Sequence, residues 1–162
     1  MTAAVTETDT GAVVREFVRA VWNGEDPDAI ESLTTDDFAL HQLVAGEDHD
    51  RDGFAGFQTE MLEAMPDFTM AIEDLVVDGD DAVALVRLGG TPVKPMQAIR
   101  PTGESFSVNA FQKYRVEDGR IAEVWVMADA IGTLSQLGVF PPSPRMMLRI
   151  AVGKLRSRLF GG

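Results

Sequence analysis

Asp129 lies in the stretch of this chain best suited to chemistry, IAEVWVMADAIGTLSQLG at residues 121–138. Up to Met127 apolar residues alternate with others at a period of two, as a half-buried strand requires. From Asp129 onward Ile131, Leu134 and Leu137 recur at helical spacing. A strand therefore hands over to a helix at Asp129. Asp is a favoured N-cap, because its carboxylate accepts the orphan N–H groups of a first helical turn, and a cap is the plainer reading. The sharper reading rests on parity. Trp125, Met127 and Asp129 fall on one side of the strand, so the carboxylate would extend an apolar face into a pocket. Desolvation raises the pKa of a carboxyl group held in such a place, which suits it to moving protons near neutral pH.

His41 is one of two histidines. Residues 35–41, TDDFALH, read as a short strand with Phe38 and Leu40 on one face and His41 on the other; His41 is either a pocket group or a satisfied structural one. His49, in the acidic run EDHDRD, reads as a solvated loop residue, since the run lacks any regular ligand spacing. No cysteine is present, which excludes a disulfide framework and a thiolate metal site; no metal and no organic cofactor are expected. Asn109 and Gln112 have opposite parity on the penultimate strand, so only one of them can face a cavity and orient a carbonyl there. Tyr114, the only tyrosine, is a weak candidate for an oxyanion donor. The methionines Met61, Met65, Met70, Met96 and Met127 read mainly as core filler, and secondarily as a flexible apolar lining.

The elements that must position these groups follow from pattern. GAVVREFVRAVWNG, from Gly11, places Val13 or Val14, Phe17, Val18 and Val21 on one stripe and predicts a first helix stopped at Gly24. Asp26 and Pro27 open a short second helix through Ile30 and Leu33. After the strand at residues 35–41, an acidic loop at residues 46–52 leads to a third helix over residues 53–65. Phe54, Phe57, Met61 and Leu62 lie on its inner side, and Pro66 ends it. Strands follow: FTMAIEDLVV, a Gly79-Asp80 turn, AVALVRLGG, SFSVNAFQKYRV, an EDGR hairpin turn and IAEVWVM. Helices first and hairpin-linked strands afterwards predict an α+β domain, an antiparallel sheet whose concave face the helices cover around a cavity.

In this order the chain resembles the SnoaL-like polyketide cyclases, also called ester cyclases, of the NTF2-like superfamily. The resemblance rests on Trp125, Asp129 and Gln136-Leu137-Gly138, on FALH ending at His41, and on Gly53-Phe54. It rests also on Met65-Pro66-Asp67-Phe68, Gly79-Asp80, Gly90-Thr91 and Pro101-Thr102-Gly103, so that it spans residues 11–138. It implies an NTF2-like (cystatin-like) cone: three N-terminal helices on a curved antiparallel sheet, with a short helix after the last strand. It implies a cofactor-free aldol cyclisation in which Asp129 is the general acid/base and His41 is directed inwards; the expected catalytic pair is Asp129, moving the proton, and His41, with His41 or an amide on the penultimate strand holding the developing enolate oxygen. Trp125, Met127, Asn109, Gln112, Arg87 and Phe57 are the expected contacts to a small hydrophobic carbonyl compound, and a homodimer is the expected assembly. Pro92 stands where the family commonly has His, and Arg87 is displaced from the family's strand Arg. The alternative is a non-catalytic NTF2-like ligand-binding or dimerisation domain.

Composition bounds the rest. At 162 residues with 45% hydrophobic side chains, the chain is long enough for one globular domain. The formal charge is −12, with 15 Asp and 11 Glu against 11 Arg and only 3 Lys. Such a surface disfavours nucleic acid and suits concentrated salt, where a Debye length of about 3 Å removes self-repulsion, so a halophilic microbe is the expected source. Neither an 18-residue apolar run nor a signal-peptide pattern occurs, and a cytoplasmic location is expected. Residues 1–10 read as a flexible N-terminus and residues 11–140 as the domain. Residues 141–162, with five basic and no acidic side chains, read as a basic amphipathic tail, expected to dock on protein rather than on a membrane surface.

Overall fold

The computed structural model describes residues 7–24, 28–95 and 100–139. Helix α1, Glu7–Phe17, runs directly into a π-helical turn at Val18–Trp22. Val14, Phe17, Val18 and Val21 are buried, as the apolar stripe requires, and Trp22 joins them. The helix begins earlier than Gly11, because Thr10 is not frayed: its buried hydroxyl donates to the Gly79 carbonyl at 2.8 Å. Helix α2 is Ala29–Leu33, and its expected opening at Asp26-Pro27 lies outside the described residues, as do Met96 and residues 141–162. Helix α3, Arg51–Ala64, is capped by the Asp50 carboxylate, which accepts the Gly53 N–H at 2.8 Å.

Six strands form one sheet: β1 Thr34–Gln42, β2 Glu47–Asp50, β3 Thr69–Asp78, β4 Asp81–Gly90, β5 Phe106–Glu117 and β6 Arg120–Ala128; helix α4, Ala130–Gln136, follows. The strand order is β2-β1-β6-β5-β4-β3. Every pairing is antiparallel except β1 with β6, which is parallel. The sheet is therefore mixed rather than purely antiparallel. β1 joins the free edge of β6 across a connection of many elements, long enough to allow either direction. Part of the acidic run expected to be a loop is strand β2, turned back on β1 so that Leu40 faces His49 across the ladder. At the β5–β6 hairpin both central residues are left-handed, Asp118 at φ 49° and Gly119 at φ 75°, the geometry that an Asp-Gly pair permits at small cost.

Alternation decides which face is inside. On β5 Phe106, Val108, Ala110, Gln112, Tyr114 and Val116 are buried under the helices, while Ser107, Asn109, Phe111 and Lys113 face out. Between helices and sheet the rings interlock. Phe54 stacks on Phe17 at 6.1 Å and tilts against Phe38 at 5.3 Å, and Trp22 meets Phe54 edge-on at 5.5 Å. Phe17 in turn meets Tyr114 edge-on. The centre of the concave face, expected to be hollow, is occupied by these rings. Burial loosens at the end where β1 and β6 finish, and there Val126, Ala128, Phe57 and Met61 are only half-buried against the core.

Candidate active site

Ala128 is the last residue of β6 and pairs with Ala110. One residue on, the Asp129 N–H donates to the Asn109 carbonyl at 3.3 Å, and the chain then turns into α4. The Asp129 carboxylate caps that helix: Oδ1 accepts the Gly132 N–H at 2.8 Å, and the Asp129 carbonyl accepts from Thr133 Oγ1 at 2.9 Å. The side chain is exposed. Parity is as the sequence indicates, but the shared face is the outer one. The β5–β6 register sets Val124 and Val126 opposite Tyr114 and Gln112 on the helix side, and leaves Trp125, Met127 and Asp129 on the other. The expected burial of Asp129 in an apolar pocket is thus absent, and Oδ2 has no hydrogen-bond partner among the described residues.

The Gln136-Leu137-Gly138 motif has a structural account. Beyond Ala110 strand β5 has no β6 residue left to pair with. The Gln136 side chain takes that place, accepting the Ser107 N–H at 2.8 Å and donating to the Ser107 carbonyl at 3.1 Å. Leu137 plugs the core, and Gly138 at φ 70° ends the helix. These three residues fix where α4 lies, and so fix Asp129.

His41 is not directed inwards. It lies on the outer face, where its ring stacks on Trp125 at 5.4 Å, and its nitrogens bridge two carboxylates: Nδ1 to Asp48 and Nε2 to Glu123, each at 2.8 Å. Two carboxylate acceptors require two N–H donors, so this geometry calls for the imidazolium. Hydrogen bonds donated to Asp48 and, next in size, to Glu123 hold the His41 pKa above its ordinary value. Burial pushes Glu123 up, but hydrogen bonds with Arg115 and His41 outweigh it and leave Glu123 below its usual value. Lys113 stands 5.0 Å over the Trp125 ring, so Trp125 belongs to this charged outer cluster rather than to a helix-side pocket.

The remaining candidates separate by face. Gln112 is the inward amide and Asn109 the exposed one. The Gln112 carbonyl is engaged by the buried Tyr114 hydroxyl, whose pKa burial pushes well above its ordinary range. Arg87 is on the outer face in an ion pair with Glu73, and Met127 is exposed there too. Phe57 is on the helix side as expected. His49, read from sequence as a solvated loop residue, stacks on Phe57 at 5.3 Å and lies 3.2 Å from Gln42 Nε2 through its own Nε2. The signal for it was the chance of a hairpin after β1, which would set the third residue of EDHD opposite Leu40. A surface pocket of about 350 Å³ between α2 and α3 is lined by Asp28, Glu31, Arg51, Asp52, Gln58 and Thr59 among others, and none of the expected site residues reaches it. Among the described residues, no cluster of three or more His, Asp or Glu could hold a metal ion.

The family model of the SnoaL-like polyketide cyclases matches residues 12–137. The chain belongs to the SnoaL-like polyketide cyclase family. Among curated proteins none matches it. Solved structures do. AclR, a proposed hydroxylase from Streptomyces galilaeus, is 21% identical, with a TM-score of 0.75 over 90% of this chain and 95% of its own. IdmH, a proposed polyketide cyclase from Streptomyces antibioticus, is 27% identical, with a TM-score of 0.71 over 80% of this chain and 99% of its own. TsrD from Streptomyces laurentii is 24% identical, with a TM-score of 0.72 over 84% and 99%. Membership of the SnoaL-like family supports a cyclase-type role, and the NTF2-like fold is shared with these neighbours. Among the described residues no helix is long and apolar enough to cross a membrane.

Proposed function

We propose that this chain is a cofactor-free cyclase-type enzyme in which Asp129 moves the proton during ring closure of an apolar carbonyl compound. The observation that carries the reading is the free Oδ2 of Asp129, held by the Oδ1 cap at the loosened end of the sheet in a member of a cyclase family. Oδ2 takes a proton from the carbon beside a carbonyl, and the C–H electrons pass to the oxygen as an enolate. The enolate carbon attacks a second carbonyl of the same molecule, and the new alkoxide recovers the proton from Asp129. Atoms and electrons balance with no other reactant. The exposed apolar side chains Leu43, Val44 and Ile131 stand where β1 and β6 end, and a ligand lying on them excludes water from the carboxylate. The assembly proposed is a homodimer through the outer sheet face.

A second reading has its own observation: Asp129 is exposed and already capping, as a purely structural residue would be. The test is Asp129→Asn, since Asn is an equally good N-cap but cannot accept the proton. With an open-chain δ-diketone followed by NMR, the native chain should accelerate formation of the cyclic β-hydroxyketone and Asp129→Asn should lose at least about a hundredfold. Equal rates for the two assign Asp129 to the fold alone.

A further inference from the structure

We infer that the basic tail, residues 141–162, docks on the apolar end of its own sheet, over Leu43, Val44 and Ile131. The inference goes beyond the proton-transfer reading and stands without it; on that reading, the tail closes over a ligand resting on the same side chains.

Strand β1 runs parallel to β6 with Gln42 beside Val126, and the Leu43 N–H donates to the Val126 carbonyl at 3.0 Å. Leu43 and Val44 therefore continue beside the last residues of β6, and Ile131 stands in the first turn of α4 just beyond them. They are 51%, 59% and 69% exposed, and large apolar side chains gathered so at one place mark a docking surface. The described chain ends at Val139, itself exposed and part of this end. There the Gly138 N–H donates to Ser135 and the Val139 N–H to Leu134, a Schellman turn that takes the chain out of the axis of α4. From Val139 back to Ile131 is about 12 Å along the helix. Residues 140–144, Phe-Pro-Pro-Ser-Pro, have a reach of about 15 Å, enough to return to the patch. Beyond them Leu148, Val152, Leu155 and Leu159 recur at helical spacing, an apolar stripe about 17 Å long. The patch from Val44 through Ile131 to Val139, one strand spacing plus the length of α4, is also about 17 Å long.

Charge selects the same pairing. The tail holds five basic and no acidic side chains, and all 26 acidic ones lie in the rest of the chain. Glu47 and Asp48 follow directly on the turn that carries Leu43 and Val44, and Asp129 precedes Ile131 by two residues. Among the described residues, Glu47 and Asp48 meet only histidines, and Asp129 meets the backbone of its own helix. Acids bordering the patch attract the tail, whereas they repel an anionic lipid surface and an equally acidic second copy.

The chain has no cysteine, so Ser157→Cys takes a single nitroxide label. In the full chain the label should abolish the amide signals of Leu43, Val44 and Ile131 and spare those of Val76 and Val83, on the far side of the sheet. Val44→Glu with Ile131→Glu changes exposed side chains only and should restore the Leu43 signal. A labelled chain mixed with an unlabelled, isotope-enriched one should leave the signals of the latter intact, and phosphatidylglycerol vesicles should leave the docked state unchanged. Signals that persist beside the label, or stay lost in the double Glu variant, overturn the inference. So do signals lost from the unlabelled chain, which make a second copy the host, and signals freed by vesicles, which make it a membrane. None of these readouts needs turnover: docking without catalysis would refute the enzyme reading alone, and catalysis without docking would refute the placement of the tail alone.

Discussion

A Cβ added at Gly132 would lie 2.2 Å from Oδ2 and 2.7 Å from Cγ of Asp129, so the capping carboxylate fills the space that any side chain at Gly132 would need. The two residues make one unit, the second vacating room for the first. Gly132→Ala should displace the carboxylate, lose the cap and destabilise the chain by about 1 kcal/mol, offset in part by the better helix propensity of Ala. Thermal melts of Gly132→Ala and Asp129→Ala check this: the two should be lowered alike, and the double variant should be scarcely worse than either.

The outer cluster around His41 sets a pH window. His41 has a raised pKa in the fold, so its contribution to stability is full below the ordinary value of 6.5 and is lost as pH rises through the raised value. Glu123 has a lowered pKa, so its contribution is present above the ordinary 4.5 and is lost as pH falls through the lowered value. The stability advantage of the native chain over His41→Asn should therefore be greatest between these two ordinary values and should shrink toward alkaline pH. Denaturant titrations at a series of pH values measure it.

Gln136 replaces a missing strand at Ser107, and its loss leaves one N–H and one carbonyl without their protein partner. Gln136→Ala should cost about 1–2 kcal/mol. Amide hydrogen exchange reads the effect locally: the Ser107 N–H should lose protection, while Val86, deep in the sheet, keeps it.

Much of the fold was legible because the burial rule is periodic. The stripe of Val14, Phe17, Val18 and Val21, the inner side of α3 and the alternation along β5 each state which residues face the core. Facing was harder. Parity grouped Trp125, Met127 and Asp129 correctly, yet a period of two does not say which side is inside; that depends on the register with β5, a pairing no local pattern encodes. The same gap reversed the two histidines. His41 carried the family likeness and lies outside, whereas His49 is turned inwards only because β2 folds back on β1. The parallel pairing of β1 with β6 is likewise a long-range fact.

Across the outer face Leu85, Phe111 and Met127 form one row by cross-strand register, with Phe111 58% and Met127 52% exposed. A row of this kind fits the proposed homodimer. Phe111→Lys should leave the fold intact and convert the dimer to monomer in sedimentation experiments. A native chain that sediments as a monomer contradicts the assembly.

The central claim is that Asp129 moves a proton at carbon. Exchange of the α-hydrogens of α-tetralone for deuterium reads that step directly, without ring closure. The native chain should accelerate the exchange, and Asp129→Asn, folded and still capped, should lose at least about a hundredfold of that acceleration. Equal exchange by the native chain and Asp129→Asn would contradict the account and leave Asp129 as the cap of α4.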